Sequence, residues 1–247
     1  MVKYGLVGEK LGHSFSVELH RKLGNSEYEL LEIPRDKIDD FFAAAEFAAL
    51  NVTIPYKEVA FKYCIPDDAA SKIGAINTLV KNGDVVRGYN TDYLGCMYML
   101  KRAGIDLKSR KVAILGSGGT SKTARYVCEL MEANECVVVS RSGDVTYADT
   151  DKYADAEVLI NTTPVGMYPE CDCTPVSLEL FTNLKAVADV IYNPYETKLV
   201  KEARERGITA TNGLSMLVAQ GFYAEELFMD KKMDESVIER IVEDMMR

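Results

Sequence analysis

A glycine-rich turn between an apolar strand and a helix constrains this chain more than any other feature. Lys111-Val-Ala-Ile-Leu115 runs into Gly116-Ser-Gly-Gly-Thr-Ser121, a helix is predicted through about Glu132, and Cys136-Val-Val-Val-Ser140 follows. Strand, crossover helix and strand within about thirty residues make a βαβ unit, the form of a mononucleotide-binding half. The turn's backbone N–H groups and the helix N-terminus then face an anion such as a pyrophosphate. The pattern is not a clean GxGxxG, because Ser121 holds the third glycine position and the extra glycine is Gly119. A tight strand-to-helix turn without a ligand is the competing reading, and the βαβ setting argues against it.

The end of the second strand declares the cofactor in such units, with an acidic residue for the ribose hydroxyls of NAD and an arginine for a 2′-phosphate. Here the strand ends Ser140-Arg141-Ser142. A guanidinium binds phosphate through several N–H groups and stacks on adenine, so NADP is favoured, while Asp144 close by keeps NAD possible. The bland alternative for Arg141 is a solvated surface side chain.

At 247 residues the chain is large for one core and comfortable for two. Strand-like runs (3–7, 28–33, 50–54) alternate with helical stretches in the first hundred residues, which implies an α/β layer with a largely parallel sheet. After Pro34, Asp36 is placed to cap a helix whose Ile38, Phe41, Phe42 and Ala45 fall at helical spacing. Asn82-Gly83 predicts a two-residue hairpin between 78–80 and 85–86. A helix over 93–103 stops at Gly104, and the polar Ile105-Asp-Leu-Lys-Ser-Arg110 predicts the domain boundary.

The second domain continues with buried strands at 158–160 and 186–191 and a helix at 197–206, an open doubly wound sheet. Beyond Asn212-Gly213 the chain is helical, with Met216, Leu217, Gln220, Tyr223, Ala224 and Leu227 at three- and four-residue spacing. Two helices are too little for a domain, so they are expected to pack on the first one. The resulting division is residues 1–104 with 213–247, and 105–212.

The formal charge is −9 with Lys and Arg scattered, which argues against nucleic acid. Six cysteines without paired CxxC spacing and only two histidines predict reduced thiols and no metal site. The first residues read as a short strand and no apolar run approaches membrane-spanning length, so a cytoplasmic protein without a membrane partner is expected.

Two ionisable groups close apolar runs ahead of the glycine turn: Lys57 in Asn51-Val-Thr-Ile-Pro-Tyr-Lys57 and Asp92 in Asn90-Thr-Asp92. Interconverting a hydroxyl and a ketone moves a hydride on carbon and a proton on oxygen, and an ammonium can donate that proton and steady the charge on oxygen. A lysine at its ordinary pKa of about 10.4 is a poor base at neutral pH, so Lys57 and Asp92 are read as one hydrogen-bonded pair. Asp92 has a competing role as the N-cap of the following helix. Ser14 and Ser16, on a loop after the first strand, could present two hydroxyls to a small carboxylate, although isolated serines there are more often turn residues.

These segments together resemble the shikimate dehydrogenase family. The matches are His13-Ser-Phe-Ser16, Asn51 to Lys57, Gly74-Ala-Ile-Asn-Thr78, Gly88-Tyr-Asn-Thr-Asp92, Gly116 to Gly119, Asn161-Thr-Thr-Pro-Val-Gly-Met167, Asp189-Val-Ile-Tyr-Asn-Pro194 and Asn212-Gly-Leu-Ser-Met-Leu-Val-Ala-Gln220, in family order over almost the whole chain. The resemblance implies an N-terminal α/β substrate domain, a Rossmann-like dinucleotide-binding domain and C-terminal helices returning to the first. It implies NADPH-dependent reduction of 3-dehydroshikimate to shikimate in aromatic amino-acid biosynthesis, by a monomer or homodimer. By the family pattern Ser14, Ser16 and Tyr192 hold the substrate carboxylate, while Thr53, Lys57, Asn77, Asp92 and Gln220 meet the ring oxygens. Lys57 and Asp92 are the catalytic pair. Gly116, Ser117, Gly118, Gly119 and Thr120 bind the pyrophosphate, Ser140, Arg141 and Ser142 the adenosine side, and Val190, Gly213 and Met216 lie near the nicotinamide.

The chain departs from the pattern at Val17, where proline is usual, at Ala49, where glycine is usual, and at 143–145, where Gly-Asp-Val replaces an expected basic residue. An NAD-preferring quinate/shikimate dehydrogenase is the rival within the class. A non-catalytic dinucleotide-binding module predicts decay of a catalytic pair that is present, and a methyltransferase leaves the first hundred residues unexplained.

Overall fold

The computed structural model describes residues 2–12 and 14–246, so His13 of the His-Ser-Phe-Ser motif lies outside the described residues. The chain divides into two compact units, one holding the chain through Asp92 together with Val218–Met245, the other Tyr93–Leu217.

The first unit runs β1 (Val2–Gly8), α1 (Ser16–Lys22), β2 (Tyr28–Glu32), α2 (Ile38–Ala44), β3 (Phe47–Val52), β4 (Ile65–Pro66), α3 (Asp68–Ile73), β5 (Thr78–Asn82) and β6 (Val85–Tyr89). Its sheet has the order β2-β1-β3-β5-β6-β4. β1 is parallel to β2 and β3, but β5 is antiparallel to both neighbours, so the sheet is mixed where a largely parallel one is expected. The tight hairpin imposes the reversal between β5 and β6. Asn82 pairs with Val85, which makes Gly83-Asp84 the loop, one residue later than predicted, and Gly83 takes the positive φ of 62°. α2 is also capped differently: Lys37 is its N-cap, with no side-chain bond from Asp36 or from itself.

Successive residues of these strands point to opposite faces, and both faces are covered. Val7, Leu50 and Leu79 pack with Phe42, Phe47 and Tyr56. Their neighbours Leu6, Ala49 and Val80 pack with Tyr28 and, from the C-terminal part of the chain, Ala224 and Phe228.

The second unit takes α4 (Asp92–Arg102) from its second residue onward, then β7 (Lys111–Leu115), α5 (Gly119–Leu130), β8 (Glu135–Ser140), β9 (Val145–Thr146), β10 (Val158–Asn161), β11 (Ala186–Asp189), α6 (Lys198–Glu205) and β12 (Thr209–Thr211). The boundary at Asp92 lies before the expected one at Gly104. Gly104 does end α4, with φ 67°, but Cys96, Met99 and Leu100 of that helix pack with Val112, Ile114 and Ile160. A helix stop is a break in backbone geometry and leaves packing free to continue across it.

All pairings in the second sheet are parallel, in the order β12-β11-β10-β7-β8-β9. Counted from β7 this is 3-2-1-4-5-6, the Rossmann order, whose direction reverses between β7 and β10 and opens a crevice at their carboxyl ends. α7 (Leu214–Phe228) and α8 (Ser236–Met245) complete the chain, and the second boundary falls inside α7. From Val218 onward α7 packs with the first unit. A Cβ at Gly221 would stand 2.7 Å from the Leu19 side chain of α1. Among the described residues no helix is long and apolar enough to cross a membrane, and no cluster of His, Cys, Asp and Glu could hold a metal ion.

Candidate active site

In the first unit the segment after β3 is fixed by its backbone. Thr53 N–H donates to the Val7 carbonyl at 2.9 Å, Tyr56 N–H to the Thr53 carbonyl at 2.9 Å, and Ile76 N–H to the Lys57 carbonyl at 2.9 Å. The buried Tyr56 ring anchors this turn in the core, and its hydroxyl donates to the Ile33 carbonyl. Lys57 thereby lies beside the segment that leads into β5 and carries Asn77.

Lys57 Nζ donates to Asp92 Oδ2 at 2.6 Å, and Asn77 Nδ2 donates to Asp92 Oδ1 at 2.9 Å. Both carboxylate oxygens are thus committed to side chains from elsewhere, and Asp92 stands as the first residue of α4 and not as a cap outside it. The lysine and aspartate side chains remain 21% and 14% exposed, enough for a substrate to reach them. Asn77 is held on its other edge: its Oδ1 accepts from Thr91 N–H at 2.6 Å and from Thr78 Oγ1 at 2.9 Å. Its second amide hydrogen is directed to Thr91 Oγ1 at 3.0 Å.

The two serines are also brought together. Ser14 Oγ donates to Ser16 Oγ at 3.0 Å and accepts from Ser16 N–H at 3.2 Å. Ser14 is on the loop, whereas Ser16 opens α1. Thr53 is half-buried at the head of the turn that carries Lys57, and Gln220 is half-buried on α7.

In the second unit the glycine turn leaves backbone open at the start of α5. Gly116 has φ 105°, and a Cβ there would lie 2.9 Å from Thr162 Oγ1. Gly118 is the N-cap of α5 without a side-chain cap bond, and no acidic residue occupies the first turn. A Cβ on Gly118 or Gly119 would meet nothing within 4 Å, so the backbone there is open to close approach. Ser117 is exposed and Thr120 half-buried beside it.

At the end of β8, Ser140 is buried and its Oγ is without a hydrogen-bond partner, while Arg141 and Ser142 are exposed. An orphaned hydroxyl at Ser140 and an exposed guanidinium on the next residue are groups that suit the ribose and phosphate of an adenosine moiety. The residues present therefore fit NADP.

Beyond β11 the chain passes close to the start of α7. Gly213 N–H donates to the Ile191 carbonyl at 2.9 Å, and a Cβ on Gly213 would fall 1.9 Å from the Val190 carbonyl oxygen. Met216 is 8% exposed and packs with Ile160 and Ala188, so it is first of all a core residue. Tyr192 is half-buried on the same loop, and burial pushes its phenol above the ordinary range.

Asp189, at the end of β11, supports this loop. Its Oδ1 accepts from Asn161 Nδ2 at 3.0 Å and Ile191 N–H at 3.1 Å, and its Oδ2 from Thr197 Oγ1 at 2.7 Å. Burial outweighs these bonds and pushes the carboxyl up to about 6. The sequence reading gave no role to Asp189, Thr91 or Thr78. For Asp189 the signal available was a polar side chain at the end of an otherwise apolar strand run.

Residues 6–79 match the shikimate dehydrogenase substrate binding domain, and residues 213–243 match the shikimate 5'-dehydrogenase C-terminal domain. The shikimate dehydrogenase (NADP(+)) of Clostridium perfringens is 36% identical over 99% of this chain and 98% of its own. The crystal structure of a chorismate mutase/shikimate 5-dehydrogenase fusion protein from Clostridium acetobutylicum superposes with a TM-score of 0.92 at 36% identity, covering 99% of this chain and 97% of that one. The Thermus thermophilus shikimate 5-dehydrogenase in complex with NADP(H) and shikimate gives a TM-score of 0.87 at 27% identity, covering 99% of each. A relative this similar along its whole length makes the chain a member of the shikimate dehydrogenase family.

Proposed function

We propose that this protein catalyses the reversible NADPH-dependent reduction of 3-dehydroshikimate to shikimate in aromatic amino-acid biosynthesis. The observation that carries the reading is the Lys57–Asp92 ion pair, with Asn77 on the second carboxylate oxygen. Relatives named shikimate dehydrogenase (NADP(+)) support it.

In this reading the first unit is the substrate domain. Ser14 and Ser16 donate to the ring carboxylate, and Thr53, Lys57, Asn77, Asp92 and Gln220 meet the ring oxygens. As the ketone carbon is reduced, charge grows on its oxygen, and the Lys57 ammonium stabilises that oxygen and donates the proton. Asp92 keeps the ammonium oriented and takes part in returning the proton, so the two act as one coupled donor and acceptor. Asn77 fixes the carboxylate from the side opposite Lys57.

The second unit is the dinucleotide domain. Backbone N–H groups of Gly116 to Thr120 would hold the pyrophosphate, Ser140 to Ser142 the adenosine 2′-phosphate side, and Val190, Gly213 and Met216 the nicotinamide side. When bound, NADPH supplies the hydride. We assign the protein to the cytoplasm as a monomer or homodimer without nucleic-acid or membrane partners, in keeping with its net charge of −9; light scattering of the purified protein tests the oligomeric part.

An NAD-preferring quinate/shikimate dehydrogenase is favoured by one observation: Gly143, Asp144 and Val145 supply no second basic residue after Arg141. Shikimate and quinate, each with NADP and NAD, decide between the readings through the growth of reduced-nicotinamide absorbance. Absence of turnover with shikimate and either cofactor would sink both.

A further inference from the structure

We infer that Tyr28 is a positioning residue for the catalytic pair, acting through Asn51 and Thr78 on Asn77 and thence on Asp92. The inference rests on the assignment of Lys57 and Asp92 as that pair. Tyr28 opens β2 and is 4% exposed, with no path of its own to a substrate. Its hydroxyl donates to Asn51 Oδ1 at 2.8 Å. Asn51 Nδ2 donates to Thr78 Oγ1 at 3.2 Å and to the Asn77 carbonyl at 3.3 Å. Thr78 Oγ1 then donates to Asn77 Oδ1, and Asn77 Nδ2 to Asp92 Oδ1.

The direction of each bond follows from the one before it. With Asn51 Nδ2 donating to Thr78 Oγ1, the single Thr78 proton goes to Asn77 Oδ1 at 2.9 Å, the nearer of its two acceptors, the other being Thr91 Oγ1 at 3.3 Å. Asn77 must then present its amide hydrogens on the other edge, toward Thr91 Oγ1 and Asp92. Thr91 N–H reinforces that orientation at 2.6 Å. Removing the Tyr28 hydroxyl leaves the buried Asn51 oxygen without this donor, and Asn51 regains a partner only by rotating away from Thr78.

The ring of Tyr28 is itself clamped. It stacks on His20 with centroids 3.7 Å apart and planes 5° from parallel. His20 Nδ1 lies 2.5 Å from Glu225 Oε1, which also accepts from Asn25 Nδ2 at 2.9 Å. Burial and the Glu225 carboxylate hold the Tyr28 phenol well above its ordinary pKa, so the hydroxyl stays a donor throughout the assay range.

The test compares Tyr28→Phe, Thr78→Val, their double variant and the packing control Leu6→Ala in shikimate oxidation, with shikimate affinity followed by calorimetry. Tyr28→Phe and Thr78→Val should each lower kcat by about tenfold with KM and shikimate affinity changed less than about twofold, the loss expected for one oriented hydrogen bond. The double variant should lose no more than Thr78→Val alone, and Leu6→Ala should leave kcat within about twofold. Losses that multiply in the double variant, or an unchanged kcat in a folded Tyr28→Phe, overturn the inference. Should Tyr28→Phe not fold, a Thr78→Val variant with unaltered kcat overturns it equally. Failure of the parent enzyme to turn over shikimate would refute the activity itself and is distinct from either result.

Discussion

Lys57 Nζ and Asp92 Oδ2 are 2.6 Å apart although 35 positions separate them in the chain. The ammonium is carried by the turn after β3, and the carboxylate by the first residue of α4. A pair at this distance and partial exposure predicts that Lys57→Met lowers kcat by about 100- to 10,000-fold, the usual contribution of a positioned proton donor. Shikimate affinity should fall far less. Steady-state kinetics with calorimetric titration checks the split, and retained turnover in the variant rules the role out.

Val190 and Gly213 approach so closely that no side chain fits between them. Gly213→Ala would place a Cβ 1.9 Å from the Val190 carbonyl oxygen, closer than any nonbonded contact, so the backbone must shift. The expected destabilisation is about 1–3 kcal/mol or more, with weakened NADP binding if the displaced loop holds the nicotinamide as proposed. Thermal unfolding with and without NADP measures both, and a variant matching its parent in each would contradict the contact.

The Asp189 carboxyl, pushed up to about 6, ties stability to pH. Between about pH 4 and pH 6 the folded chain keeps a proton that the unfolded chain has released, so this group's contribution is present at low pH and is lost as pH rises through 6. The shift from 3.8 to about 6 corresponds to about 3 kcal/mol. Relative to Asp189→Asn, the parent should therefore lose stability by up to that amount between pH 4 and pH 7 in urea unfolding. A difference constant across this range would show that Asp189 is not titrating there.

Arg141 is exposed just past the end of β8, next in the chain to Ser140, whose buried hydroxyl is unpartnered. If its guanidinium binds the 2′-phosphate, Arg141→Ala should raise KM for NADP by about tenfold or more, the loss of a charged hydrogen bond. KM for NAD should change little. Equal effects on both cofactors would leave Arg141 a surface residue.

Much of the fold was legible because period and punctuation are local properties. The β7–α5–β8 unit, the hairpin and the helix stop at Gly104 follow from apolar runs broken by glycine. The boundary at Asp92 was not legible, because Cys96, Met99 and Leu100 join a core whose other members, Val112 and Ile160 among them, are remote in sequence. The hairpin loop moved by one residue for a related reason: register is settled by which side chains reach the buried face, and Asn82 pairs where turn chemistry alone places it in the loop.

By itself the sequence determined which residues could do the chemistry, since Lys57, Asp92, Ser14, Ser16 and the glycine turn each carry a side chain or backbone freedom that few others supply. Only the tertiary structure decided how they are held. Asn77 turns its amide toward Asp92 because Thr78 and the Thr91 N–H occupy its other edge, and Tyr28 joins that arrangement from β2. Asp189 stands under the loop after β11 for the same reason. Hydrogen-bond direction depends on every partner a group meets after burial, and those partners are neighbours only once the sheet has formed.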